Sequence, residues 1–344
     1  MITAVEMHSH LERFLADRDI PMTRLTDHVE EVFGVPRLVV AAGSVIHGFG
    51  NPGSDVDVLV LVDNPGVTNF PLSSYDGQQA FDVTYLDTAW AREVGEQIGD
   101  GSALACVHEP AGCAKTHETL VQFSRLPLGF VIEAEPEWNA WVSRMRGPAL
   151  GRILRRWWLL RALRAWTAAR IFGADKPWLA AHRYCDAGLA LLNARVTAAG
   201  EAYFGPKWVA AKLARLDDQA GLAVYERLLA VPGDGAALPS YVDRCEELLE
   251  SLSAIGPESP QVHLVASYAP GVNVFRANGR TLVSRWMMRG VEFAGPLPQA
   301  AMSAGGPIWA GRLTELPSWL RALLVADMAW LGIADWGGHD KPGD

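Results

Sequence analysis

Asp55 and Asp57 stand one residue apart at the head of an apolar run, where Val56, Val58, Val60 and Val62 alternate with Asp57, Leu59 and Leu61. Side chains two apart on a strand share a face, so the two carboxylates project together from its leading end. Carboxylates held this close repel each other unless a cation lies between them. An oxygen-only pair suits magnesium, which keeps several waters and shares its remaining positions with substrate phosphates. Upstream, Gly43-Ser44 follows the apolar run Leu38–Ala42. A glycine turn of this kind offers backbone N–H groups and a hydroxyl to phosphate oxygens. Residues 43–62 therefore read as half of a metal–triphosphate site. A calcium loop is excluded, because Leu59 and Val60 replace the oxygen ligands and glycine that such a loop needs.

The order Gly-Ser, ten intervening residues, then Asp-Val-Asp-Val resembles the signature of the DNA polymerase beta-like nucleotidyltransferase superfamily. Its members include antibiotic nucleotidyltransferases, poly(A) polymerases and protein adenylyltransferases. Gly48 and Ser54-Asp55 extend the match, whereas His47 stands where many bacterial members carry an arginine. The resemblance implies a third carboxylate on a following strand. Asp82 fits best, opposite in face to Phe81, Val83 and Tyr85. Its competitors are Asp63, too far along its strand, Asp76, in a polar Ser-Ser-Tyr-Asp-Gly turn, and Asp87, at the strand's end. The resemblance further implies two Mg2+ ions held by Asp55, Asp57 and Asp82, with Mn2+ an acceptable substitute. The implied donor is a nucleoside triphosphate, ATP first, held by Gly43, Ser44 and Ser54. Lys207 and Lys212, after Gly205-Pro206, are further candidates for phosphate contact.

Those residues together point to a nucleotidyltransferase that moves a nucleoside monophosphate, AMP first, to a hydroxyl of a small molecule and releases pyrophosphate. A protein acceptor for an adenylyl or uridylyl group is the second reading. A non-catalytic, nucleotide-sensing protein that binds a partner is the third. Retention of all three acids argues against the last.

The elements that position these residues give an α+β order. Helices are expected at residues 4–18 and 27–33, then a strand–turn–strand, a loop that includes residues 73–77, and the Asp82 strand. Residues 90–98 and 117–124 read as helices. The polymerase beta-like core, with its small mixed sheet, is assigned to residues 1–135. Helical spacing recurs through 153–171, 178–198, 206–216, 221–229 and 241–255, separated by Gly173, Gly200 and Pro232-Gly233, which makes 136–256 a helical bundle. Residues 257–344 form a small hairpin-plus-helix module. Its strands are 262–268, 272–277 and 280–286, its turn Asn278-Gly279, and its helix 318–331.

A chain of 344 residues, 49% hydrophobic and 20% charged, suits two or three soluble globular domains. A net charge of −9 argues against a broad nucleic-acid surface. Residues 144–170 nevertheless hold eight arginines and no acid, with Arg152, Arg155 and Arg156 clustered by helical spacing. A wall of that sign would attract a polyanionic triphosphate. Cys106, His108, Cys113 and His117 match no ordinary zinc spacing. Scattered cysteines, no apolar run of membrane length, and Glu and His near the start where a signal peptide is apolar give a cytoplasmic expectation.

Overall fold

Thr3 accepts a hydrogen bond from the Glu6 amide while the Glu6 carboxylate accepts from the Thr3 amide, and this capping box starts helix α1 (Ala4–Ala16). Met7, Leu11 and Leu15 recur every fourth residue and are buried on one face of a five-stranded sheet. Its strands are β1 (Leu38–Ala42), β2 (Val56–Val62), β3 (Pro71–Asp76), β4 (Gln79–Asp87) and β5 (Phe130–Ala134), in the order β3-β4-β2-β1-β5. β2 and β4 run parallel; every other pairing is antiparallel, so the sheet is mixed. Val39, Ala41, Val56, Val58, Val60, Phe81, Val83 and Tyr85 share the α1 core. The alternation of the strands sends Asp57 and Asp82 to the other face. The computed structural model describes residues 2–29, 33–66, 71–105, 107, 110–173, 175–286, 290–302 and 306–335.

Helices α2 (Thr88–Asp100), α3 (Pro110–Leu128) and α4 (Pro136–Met145) follow β4. Asp87 accepts from the Ala89 amide and so caps α2, and Gly101 ends that helix in a left-handed conformation. Trp90, Phe123, Trp138 and Trp141 meet edge to face, with ring centroids 5.4–6.2 Å apart. Arg146 donates to the carbonyls of Pro127 and Gly129 at 2.5 and 2.6 Å, satisfying acceptors at the end of α3.

The chain divides into two compact units, Met1–Leu104 with His117–Arg155 and Arg195–Asp218, and Ala105–Thr116 with Arg156–Ala194 and Gln219–Asp344. Helices α5 (Pro148–Phe172) and α6 (Pro177–Ala198) contribute residues to both. Residues 136–155 and 195–218, which include α7 (Val209–Arg215), fall in the first unit. The second unit also contains α8 (Gln219–Leu229) and α9 (Leu238–Leu252). It further holds β6 (His263–Tyr268), β7 (Val272–Ala277), β8 (Arg280–Arg285), β9 (Val291–Phe293), β10 (Trp309–Gly311), α10 (Ser318–Val325) and β11 (Ala329–Asp335). Its strands form two antiparallel sheets, β10-β6-β11 and β7-β8-β9. The β7–β8 turn has Asn278 and Gly279 at φ of +52° and +74°, the left-handed pair that an Asn-Gly hairpin needs.

Three expected elements differ. Asp27 and His28 form a turn rather than a helix: Arg24 pairs with Asp27 at 2.8 Å, and the His28 ring stacks on Phe81 at 4.4 Å. Residues 30–32 of that expected helix lie outside the described residues, as do Cys106, His108 and the tail from Gly337. The polar loop at 73–77 is largely strand β3, whose backbone pairs with β4 and so has no need of an apolar pattern at this sheet edge. The helix expected over 318–331 stops at Val325. The Met328 amide returns to the Leu323 carbonyl, Asp327 turns at φ +59°, and the remaining apolar residues pair with β6 as β11. A short apolar run fits helix and strand equally until a pairing partner decides. Among the described residues no helix is long and apolar enough to cross a membrane.

Candidate functional site

Parallel pairing of β2 with β4 sets Asp57 directly beside Asp82. Asp55 lies two residues ahead of Asp57, exposed where the loop enters β2. Each of the two strand carboxylates already has a protein donor. Asp57 Oδ1 receives Arg125 Nη1 of α3 at 3.2 Å, and Asp82 Oδ1 receives the Ser73 hydroxyl of β3 at 2.6 Å. The other Asp57 oxygen occupies the space over Gly43: a Cβ built on that glycine would lie 2.2 Å from Oδ2. Gly43 also sits at φ +89°, so both the turn and the carboxylate require that this residue have no side chain.

Burial pushes the Asp57 carboxyl above its ordinary range, Arg125 and Lys207 pull it back, and Asp55 and Asp82 add to the rise. That is a crowded group of acids served by two cations. The donor set is hard and oxygen-only, which fits a divalent cation such as Mg2+. Among the described residues no three His, Cys, Asp or Glu side chains are gathered on one point.

The segment 201–215 is fastened to the loop after Gly43 by aromatic stacking and one arginine. The Tyr203 ring stacks on His47 at 4.4 Å, and Phe49 stacks on Trp208 at 5.8 Å. Arg215 pairs with Glu201 at 2.9 Å, donates to the His47 carbonyl, and lies 4.0 Å over the Phe49 ring. This packing brings Tyr203 and Lys207 into the field of the carboxylates. Burial, offset by Arg125 and reinforced by Asp57 and Asp55, raises the Tyr203 hydroxyl to about 12, so it is a neutral donor at neutral pH. His47 is buried and, chiefly for that reason, pushed down to about 3; it is an uncharged loop residue and supplies no cation to a phosphate.

Of the residues singled out from the sequence, Gly43, Asp57 and Asp82 meet here, and Asp55 and Lys207 lie close enough to act on Asp57 electrostatically. Ser44 is near by, its hydroxyl 3.5 Å from that of Ser54. Ser54 is buried and its Oγ accepts from the Asn51 amide at 2.9 Å, so its hydroxyl shapes the loop. Lys212 is fully buried, with its Nζ 5.5 Å from the centre of the Tyr203 ring, away from solvent phosphate. Arg152 and Arg155 are exposed on α5, and the arginine at Asp57 comes from α3 instead. Arg125, Ser73 and Tyr203 were not foreseen. Arg125 carries no local signal, Ser73 lies in a polar run with the composition of a turn, and the run Tyr203-Phe-Gly-Pro-Lys-Trp208 offers only its mixture of aromatics and a cation.

No family model matches the chain, and no curated protein matches it. Among solved structures it is similar to a nucleotidyltransferase-like protein from Exiguobacterium sibiricum, with 16% identity, 70% of this chain and 75% of that one covered, and a TM-score of 0.38.

Proposed function

We propose that this protein is a Mg2+-dependent nucleotidyltransferase that moves a nucleoside monophosphate from a nucleoside triphosphate, ATP first, to a hydroxyl of a small molecule. One observation carries the reading: Asp57 and Asp82 are partners on parallel strands, with Asp55 two residues ahead and Gly43 leaving room for the Asp57 carboxylate. A protein that only sensed nucleotide would have no use for a crowded acid group with such electrostatic strain.

Asp55, Asp57 and Asp82 would hold the metal. When bound, Mg2+ neutralises the triphosphate and lowers the pKa of the acceptor hydroxyl. Arg125 and Lys207 place positive charge beside the same acids, where the phosphates would lie. The Gly43-Ser44 turn offers amides and a hydroxyl to the β- or γ-phosphate. Ser73 fixes the Asp82 carboxylate, and the Tyr203 phenol, held by its stacking on His47, lies within the field of Asp57 and Asp55. In the reaction the acceptor oxygen attacks the α-phosphorus, the bond from that phosphorus to the bridging oxygen breaks, and pyrophosphate leaves with the electron pair. The hydroxyl proton passes to Asp82 or to solvent. Positioning and charge neutralisation supply most of the rate.

The test is pyrophosphate release with Mg2+ and each of ATP, CTP, GTP and UTP, with pooled small-molecule alcohols or with lysate protein as acceptor. Release that needs a small alcohol and disappears in Asp57→Asn is the expected result. Label transferred only to protein would replace the acceptor with a protein hydroxyl. Nucleotide binding without release under any condition would overturn the enzyme reading.

A further inference from the structure

The arginine run at 144–170 contributes nothing to the site above, whose arginine is Arg125. Two of its members, Arg161 and Arg164, lie one helical turn apart on α5 and line a cavity of about 230 Å³ made entirely of residues of the second unit. Arg183 of α6 completes the basic side, while Phe172, Leu324 and Trp330 stand among the apolar lining. The two acids of the cavity already have partners: Asp186 takes Arg183 at 3.0 Å and His182 at 3.3 Å, and Asp327 takes Arg285 at 3.3 Å. Arg161 and Arg164 are different. Among the described residues neither has a carboxylate within ion-pair distance. Arg164 donates to Cys113 Sγ at 2.7 Å and lies 5.0 Å over the Trp330 ring, and Arg161 lies 5.6 Å from the Trp158 ring. Like charges at this helical spacing repel. Partial burial lowers the hold of Arg161 on its proton, Asp186 opposes that, and Arg164 adds to it.

We propose that this cavity is a binding site for a compact organic phosphate monoester, with the phosphate on Arg161 and Arg164 and the apolar body against Phe172, Leu324 and Trp330. Two guanidinium groups without an ion-paired carboxylate match a dianion in charge, and their planar forks match phosphate oxygens in geometry. The volume falls below the roughly 300–1,000 Å³ of sites for drug-sized ligands, which favours a small phosphorylated compound over a nucleoside triphosphate. The aromatic wall distinguishes such a ligand from free phosphate. This inference stands independently of nucleotidyl transfer, since it uses none of the same residues.

The experiment is isothermal titration of the full chain with phenyl phosphate, inorganic phosphate and benzyl alcohol, in chelator and at low ionic strength. Phenyl phosphate is expected to bind saturably and at least tenfold more tightly than inorganic phosphate, and benzyl alcohol not at all. Arg161→Gln and Arg164→Gln should each weaken phenyl phosphate tenfold or more, while Asp57→Asn binds it as the parent does. Ligand-free melting temperatures of the arginine variants should be unchanged or higher, because a repulsion is relieved. Absence of saturable binding would overturn the proposal, as would full affinity in the double Gln variant or an affinity lost in Asp57→Asn instead.

Discussion

Gly43→Ala tests how the site is held open. The substitution has two separable consequences. A residue with a Cβ at φ +89° adopts a left-handed conformation, at a cost of about 1–2 kcal/mol. For a unit of this size each kcal/mol moves the melting temperature by roughly 2–4 °C, so a fall of about 2–8 °C is expected. The second consequence is local. The new Cβ meets Asp57 Oδ2 at 2.2 Å, where ordinary contact begins at 3.4 Å, so the carboxylate must retreat by a little over an ångström. Misplacement of a reacting group by that distance costs about a hundredfold in rate. Gly101→Ala is the control. Gly101 has nearly the same φ, +83°, but nothing lies within 4 Å of its built Cβ. Both variants should lose similar stability by differential scanning calorimetry, and only Gly43→Ala should lose pyrophosphate release. Activity preserved in Gly43→Ala, or reduced equally in both variants, would refute the argument that this glycine exists to seat Asp57.

Three further outcomes follow from the same geometry. Asp57→Asn should abolish release yet raise stability slightly in chelator at neutral pH, by on the order of 1 kcal/mol or less, read as a higher melting temperature. The sign comes from burial, the largest cause of the raised Asp57 carboxyl: its contribution to stability is present in acid and is lost as pH rises through the folded-state value. Lys212 works in the opposite direction. Burial lowers it to about 7 despite Glu201, so stability declines as pH falls from the ordinary lysine range toward 7, and Lys212→Met should flatten that slope in denaturant titrations. Ser73→Ala removes the 2.6 Å hydrogen bond to Asp82 at a partly exposed position. It should cost about 0.5–1 kcal/mol of stability and lower turnover up to about tenfold; unchanged turnover would remove Ser73 from the site.

Much of the first unit was legible in the chain. The helical spacing of residues 4–18, the alternation of valines with Asp57, Leu59 and Leu61, and the Phe81-Asp82-Val83 pattern are local regularities. Backbone geometry converts them directly into a helix and two strands, each acid on the face of its strand opposite the apolar residues. The Asn278-Gly279 turn was legible for the same reason, because steric rules act within a few residues. What the sequence left open depends on partners distant in the chain. Strand β3 is polar and owes its form to pairing with β4, and β11 shares its apolar pattern with a helix until β6 accepts it. Arg125 is 68 residues from Asp57, and Arg215 is 168 from the His47 carbonyl that it holds. No periodicity encodes such meetings. They arise where packed elements bring unlike charges and aromatic faces together, and only the tertiary structure decided that Asp82 stands beside Asp57 and that Tyr203, Lys207 and Arg125 lie near them.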